Sequence, residues 1–482
     1  MSDLNKHITR EVWSEILKRL PVKTLGRCRC VCKPWNSQIV SSSFIATHLK
    51  HYSQNAANTL LMYRQITTYP EEEGEEEDRY TLFLDSPESK GDKLDIHHTF
   101  TSPFMASKKV HHFRVVGSVN GLLCLSDDLF YEGHTYVVLL WNPFIHKYIK
   151  LPVPLATHNS TVGDFISMLG FGYDSKKGDH KVVRLVYIRG KDNLDTTPPM
   201  VELYSVQEGK WRWISGESVV NMCVCNMRWS QCFLNGNIHW ISWERDDKTR
   251  CFLKNWLMLF DVEQEKFKKM KVPEPLSKVN TLNLSVSHYD GKLSILCSEL
   301  KDNLTGRQMK RCEIWVKKEY KVGKSWCQMV NIDLEPTCLN WIHCLRKSGE
   351  VLGMGERAKL VSYDPSTKQI ETHGLNGFWL SWFTCDFTQS LILLDKKDGV
   401  GTYEQVTKDR KKRFQYKMDP RTGAEIVKEE EVEIVPNNGT INMFSDEHYV
   451  ICEQLFKFAG GGMTEELSDL LSYLEPDWRA QL

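Results

Sequence analysis

The sequence predicts an α+β chain in three parts: a small N-terminal helical module over residues 1–50, an all-β propeller of six to eight blades over residues 51–400, and a partly helical C-terminal extension over residues 401–482. Three observations carry this prediction. Apolar residues recur at the helical period in the first fifty positions. The period then shortens to strand-type runs, and one strand–turn–strand signature returns five times. Asn-Gly and Asp-Gly pairs between the copies mark a further hairpin in several repeats.

The helical module comes first. Val12, Trp13, Ile16, Leu17 and Leu20 form one stripe along a helix over residues 9–20. Thr9 is placed to cap it, Glu11 faces the positive end of the dipole, and Pro21 stops it. A second helix is expected over residues 23–32, with Val22, Leu25, Cys28, Val31 and Cys32 on one side and Arg27, Arg29 and Lys33 elsewhere. Pro34 interrupts it. Trp35, Ile39 and Val40 mark a short third segment, and Ser43 is placed to cap a last helix carrying Phe44, Ile45 and Leu49. So short a set of helices buries little surface alone. Its surplus of apolar residues is a candidate docking surface, or else a face that packs on the next domain; the pattern leaves both open.

The repeated body follows. An apolar run ends in an aromatic, turns through polar residues, and resumes as a second strand. The copies are Val137 to Ile149, Val201 to Trp213, Leu257 to Met270, Glu313 to Trp326 and Leu360 to Ile370. Their marker aromatics Trp141, Tyr204, Phe260, Trp315 and Tyr363 lie 63, 56, 55 and 48 residues apart. Asn120-Gly121 stands ahead of the first of them, before Leu122–Leu125, and Asn235-Gly236 within Phe233–Trp240 and Asp290-Gly291 before Leu293–Leu296 stand between later ones. Two hairpins in about 50 residues is the arithmetic of a four-stranded, kelch-like blade. Thr59–Tyr63, Tyr80–Leu84, Phe378–Phe383 and Leu391–Asp395 are the segments expected to complete and close the ring. In the extension, Gly460-Gly461-Gly462 reads as a hinge before an amphipathic helix over 465–474.

Composition narrows the function classes. Lys+Arg and Asp+Glu both number 62, so the net charge is zero and no basic excess points to nucleic acid. No apolar stretch approaches the ~18 residues that span a bilayer, and the first residues lack a secretory signal. A cytoplasmic or nuclear setting is expected, with the fifteen cysteines mostly reduced. Cys28, Cys30 and Cys32 alternate along a helix and Cys223 and Cys225 lie without a second pair, so neither set has zinc spacing. His97-His98 and His111-His112 fall on loop-like stretches, the acidic run 71–78 reads as a solvated loop, and 408–413 is a candidate nuclear-localisation patch. No phosphate cradle, nucleophile elbow or metalloprotease helix occurs, so no cofactor and no catalysis are expected.

The run Glu15-Ile16-Leu17-Lys18-Arg19-Leu20-Pro21-Val22-Lys23-Thr24-Leu25, continued by Arg27-Cys28-Arg29-Cys30-Val31-Cys32-Lys33-Pro34-Trp35-Asn36, resembles the plant F-box motif, and Phe44-Ile45 and His48-Leu49 match its tail. Two positions depart from the family: Ile8-Thr9 stands for its usual Leu-Pro, and Pro34 replaces a Ser before the Trp. The body resembles the F-box-associated domain over roughly 58–400 through Gly117–Cys124, Trp141-Asn142-Pro143, Gly170–Ser175 with Lys181-Val182-Val183, Phe233–Trp240 and Ile314–Tyr320. The resemblance implies a trihelical F-box on a Skp-type adaptor, itself held by a cullin scaffold. The adaptor-facing residues it implies are Ile8, Val12, Ile16, Leu17, Leu20, Pro21, Val22, Leu25, Cys28, Val31, Cys32 and Trp35. It implies further a non-catalytic receptor subunit of a ubiquitin ligase complex, its propeller holding a protein target for ubiquitination and degradation. Members of the family act in pollen self-incompatibility and immune-receptor turnover. A non-degradative interaction scaffold is the alternative.

Overall fold

The computed structural model describes residues 10–54, 59–68, 76–104, 113–127, 137–157, 165–188, 198–216, 221–224, 231–246, 252–300, 309–334, 339–356, 359–376, 383–396 and 400–402. Its contacts divide the chain into two compact units. One contains residues 1–55, 144–147 and 389 onward; the other contains 56–143 and 148–388.

The first unit carries four helices, α1 (Arg10–Leu17), α2 (Val22–Cys28), α3 (Lys33–Ile39) and α4 (Ser42–Gln54). Their ends follow local chemistry. Pro21 sits just before α2, and Pro34 lies in the first turn of α3, where its missing N–H costs nothing. The second helix stops at Cys28, four residues short of the expected Cys32, where the Cys30 and Val31 amides turn back to the Arg27 and Cys28 carbonyls at 2.9 and 3.2 Å. Ser41, rather than Ser43, caps α4: its hydroxyl accepts from the Phe44 amide at 3.3 Å. The four helices answer to the four segments read from the apolar pattern, one more than the three that the family resemblance implied.

The second unit is a six-bladed propeller. Blade 1 holds β1 (Thr59–Thr68), β2 (Glu76–Leu84) and β3 (Asp95–Thr101); blade 2 holds β4 (Arg114–Val119), β5 (Leu122–Ser126), β6 (Val138–Asn142) and β7 (Lys147–Lys150). Blade 3 holds β8 (Phe165–Asp174), β9 (Asp179–Ile188), β10 (Met200–Ser205) and β11 (Lys210–Ile214). Blade 4 holds β12 (Met222–Val224), β13 (Gln231–Leu234), β14 (Asn237–Arg245), β15 (Phe252–Asp261) and β16 (Lys266–Lys271). Blade 5 holds β17 (Leu284–Tyr289), β18 (Lys292–Leu300), β19 (Met309–Lys317) and β20 (Trp326–Asp333). Blade 6 holds β21 (Trp341–Leu345), β22 (Val351–Met354), β23 (Lys359–Tyr363) and β24 (Ile370–Asn376). The chain then supplies β25 (Phe383–Thr388), which pairs antiparallel with β1 from Thr59↔Thr388 to Arg64↔Phe383.

That pairing closes the ring. β25 touches β4, β4 touches β8, and contact continues through β13, β17 and β21 back to β25. The closing strand was expected at Phe378–Phe383; of that stretch only Phe383 lies among the described residues, where it opens β25. Leu391–Asp395, expected as another strand, forms a turn instead, with the Leu394 amide bonded to the Leu391 carbonyl at 2.9 Å.

The marker aromatics all fall on the third position across a blade's sheet, Trp141 on β6, Tyr204 on β10, Phe260 on β15 (β12 and β13 share the first position beside β14), Trp315 on β19 and Tyr363 on β23. The Asn-Gly and Asp-Gly pairs join first to second strands, with φ of 54° and 77° at Asn120-Gly121, 51° and 73° at Asn235-Gly236, and 46° and 67° at Asp290-Gly291. Both central residues are left-handed, as a tight hairpin requires.

Neighbouring blades meet through close approach. A Cβ on Gly170 of β8 would stand 2.2 Å from Cζ2 of the buried Trp240 on β14, whose Nε1 donates to the Leu169 carbonyl at 3.1 Å. Buried charge is paired: Arg184 with Glu202 at 2.9 Å, Arg64 with Asp78 at 2.6 Å, Arg346 with Glu350 at 2.8 Å. Asp78 thus corrects the reading of residues 71–78 as a solvated loop, since Glu76–Asp78 belong to β2 and Asp78 is buried. His97-His98 likewise lie on β3 rather than a loop. The expected helix at 465–474, the basic patch at 408–413, His111-His112 and Cys225 lie outside the described residues.

Candidate functional site

The helical unit sorts its apolar residues into two sets. Leu17, Leu20, Val22, Leu25 and Cys28, five of the residues expected to face an adaptor, are no more than 2% exposed. They pack with Ile39, Phe44 and Ile45 in one core. The amphipathic stripe of α1 therefore serves the module's own interior through Leu17. The other set stays at the surface. Val12 is 40% exposed, and Ile16, Pro21, Val31, Cys32 and Trp35 are half-buried. Ile8 lies outside the described residues.

Local geometry fixes this second set. Val12 and Ile16 are one turn apart on α1 and share a side of it. The Trp13 and Trp35 rings meet edge to face at 5.0 Å, joining α1 to α3. Arg29 Nε donates to Asn36 Oδ1 at 3.0 Å, fixing the short link that carries Val31 and Cys32. Inside, His48 is fully buried and shares a 3.0 Å hydrogen bond with the Leu20 carbonyl in the link between α1 and α2. Its ring stacks on Tyr52, and burial lowers its pKa below the ordinary histidine value.

Two segments distant in sequence complete this core. Leu391 and Leu394 are buried in it, with Phe144, Ile145 and Ile392 packed against it. Lys147 Nζ ties the turn down by donating to three carbonyls, Leu393 at 3.1 Å, Leu394 at 3.2 Å and Lys396 at 2.9 Å. Burial lowers the pKa of this lysine. The sequence reading gave Leu391–Asp395 to a ring strand and residues 144–147 to a blade hairpin, and missed their place in this core. One signal was available: Phe144-Ile145 is an apolar pair at the tip of a hairpin, where polar turn residues are the rule.

The architecture is thus a four-helix module with surface apolar residues and a ring of six blades. Two family models match it: an F-box domain over residues 7–47, and an F-box associated beta propeller domain over residues 73–396. The chain belongs to the F-box proteins with an F-box associated beta propeller. Its relatives include the F-box protein CPR1 of Arabidopsis thaliana, 25% identical over 81% of this chain and 90% of that protein. An F-box/kelch-repeat protein of Arabidopsis thaliana is 26% identical over 67% of this chain and 78% of that protein.

The F-box assignment gives the sorting of apolar residues a use. The buried set builds the F-box fold, and the half-exposed set remains at its surface. Among the described residues, no group of three His, Cys, Asp or Glu side chains is placed to hold a metal ion. No helix among them is long and apolar enough to cross a membrane.

Proposed function

We propose that this chain is the substrate-recognition subunit of a Skp–cullin–F-box ubiquitin ligase. The observation that carries the reading is the exposed apolar remainder of the F-box: Val12, Ile16, Pro21, Val31, Cys32 and Trp35 keep apolar surface in water although the module has a completed core beneath them. A Skp-type adaptor is the partner that such a surface serves in an F-box. Leu17, Leu20, Val22, Leu25 and Cys28 act from underneath, setting the shape of the surface without touching the adaptor.

The physics is positioning. Docking through the F-box ties the chain to the adaptor and its cullin, and the propeller supplies a rigid frame with loops free to vary. A target held there meets the ubiquitin-charged enzyme at high effective concentration, which raises transfer to its lysines without any catalytic group on this chain. The test is quantitative proteomics after induced depletion of the chain. A receptor leaves at least one bound protein with a longer half-life; unchanged half-lives for every bound protein would leave a scaffold role in its place.

A further inference from the structure

Strands 1–2 and 3–4 of a blade turn at the same end of the sheet, so these turns share one face of the propeller. On that face, between blades 4 and 5, lies a cleft of about 620 Å³ lined by Asn235, Asn237, Leu259, Lys268, Tyr320 and Lys321. Asn235 belongs to the β13–β14 turn, Lys268 to β16, and Tyr320 and Lys321 to the loop between β19 and β20.

The walls are braced. Lys317, 2% exposed, donates to the Val322 carbonyl at 2.8 Å and lies 5.0 Å from the Trp326 ring centre. Trp326 Nε1 donates across to the Lys271 carbonyl on β16 at 3.1 Å. Ser325 Oγ reaches the carbonyls of Glu319 and Val322 at 2.5 and 2.8 Å. Tyr320 is held from behind: its hydroxyl is 2.6 Å from His239 Nε2, whose Nδ1 is 3.0 Å from the Cys232 carbonyl. Burial keeps His239 neutral by lowering its pKa to about 4. A neutral ring bonded to a carbonyl through Nδ1–H leaves Nε2 to accept, so the tyrosine proton points inward.

The loop bordering the cleft is rich in lysine. Lys318, Lys321 and Lys324 on the loop are exposed and have no carboxylate partner among the described residues, while the chain as a whole is neutral. Lys268 is half-exposed and paired at 2.9 Å with Asp261; Glu319 is the one exposed carboxylate of the loop segment 317–326. Leu259 and the Tyr320 ring give an apolar floor and wall, and Asn237 Nδ2 spends a bond on the Asn235 carbonyl at 2.8 Å. Of these lysines Lys321 lines the cleft without a carboxylate partner and Lys268 shares Asp261, with Lys318 and Lys324 close by on the same loop; ammonium groups beside an apolar floor complement carboxylates on a peptide whose apolar atoms need cover.

We propose that this cleft receives an acidic segment of a protein target, with its Asp or Glu carboxylates on Lys321 and Lys268 and an apolar side chain against Leu259. The assignment of the occupant as a target rests on the receptor reading; the binding itself does not. The test uses the full-length chain and a fluorescein-labelled peptide of alternating Glu and Leu, followed by anisotropy. Lys268→Glu with Lys321→Glu weakens binding about tenfold, and Lys321→Gln alone, on an exposed loop, weakens it several-fold. Lys210→Glu with Lys359→Glu, an equal change of charge at exposed positions elsewhere on the ring, leaves affinity unchanged. Equal losses in the two double variants overturn the cleft as the site, as does equal binding of a Gln-Leu peptide. Tighter cleft-dependent binding of a single-stranded oligonucleotide would assign the site to nucleic acid instead. Adaptor capture measured on the same proteins separates this outcome from failure of the receptor reading, because the lysine variants leave the F-box intact.

Discussion

At the scale of single residues, burial of polar groups sets the most direct expectations. Glu202 is fully buried, pairs with Arg184, and accepts the Leu155 and Ala156 amides at 2.7 and 3.0 Å. Glu202→Ala leaves an uncompensated guanidinium and two unmet donors, and costs about 3–5 kcal/mol, read by urea unfolding. Gly170→Ala drives a methyl into Trp240 and costs about 1–3 kcal/mol in the same assay. Histidines give the pH dependence. Burial lowers His180 and His343 to about 3 and His239 and His373 to about 4. Their folded values lie below the unfolded value near 6.5, so the stability they preserve is present above that pH and is lost as pH falls from there towards 3–4. His288 has the opposite sign: Asp386, 3.2 Å away, raises its pKa, so its contribution is present below 6.5 and lost as pH rises through the folded value. Thermal melts between pH 7.5 and 5 should therefore show falling stability. His180→Phe, between Phe171 and Tyr173, should flatten the slope by one group's share, about 1.4 kcal/mol per pH unit.

At the scale of elements, the sequence made the repeated hairpins legible because their chemistry is local. An aromatic near a strand's end and a pair of left-handed turn residues are readable within ten positions, and each landed in an equivalent place, the aromatic in blades 2 to 6 and the turn pair in blades 2, 4 and 5. The helix stripes were legible too, yet their destination was not. Period 3.6 says that Leu17 and Leu20 face something apolar; it is silent on whether that is the module's own core or a partner. The answer depended on Leu391 and Leu394, which arrive from more than 340 residues away and whose four apolar residues in a row read equally well as a buried strand. Local pattern carries no information about such a closure. The same contact yields a prediction. Leu391→Ala with Leu394→Ala removes part of the F-box core and should cost about 2–5 kcal/mol per site. Adaptor affinity should fall with it, although neither residue faces the adaptor. A pull-down with the purified adaptor reads the loss, and limited proteolysis shows whether cleavage now enters α1–α4.

At the scale of the whole molecule, the two ends of the chain are interdependent. β25 closes the ring against β1, and the residues just beyond it enter the F-box core. A chain cut before residue 383 loses the inner strand of blade 1 and the Leu391–Leu394 turn together, so the propeller and the F-box should fail in one step rather than two. Differential scanning calorimetry of the truncated chain should show no cooperative transition matching either unit. The domain limits drawn from sequence, 1–50 and 51–400, follow the change of period; they could not follow a chain that returns to its starting module after completing the ring. The central claim is that the half-exposed apolar residues of the F-box meet a Skp-type adaptor while the buried ones hold it in shape. Isothermal titration of the full-length chain carrying Val12→Glu and Val31→Glu against that adaptor tests it most directly. The affinity should fall at least about tenfold below wild type with an unchanged melting temperature. Wild-type affinity in that variant would contradict it.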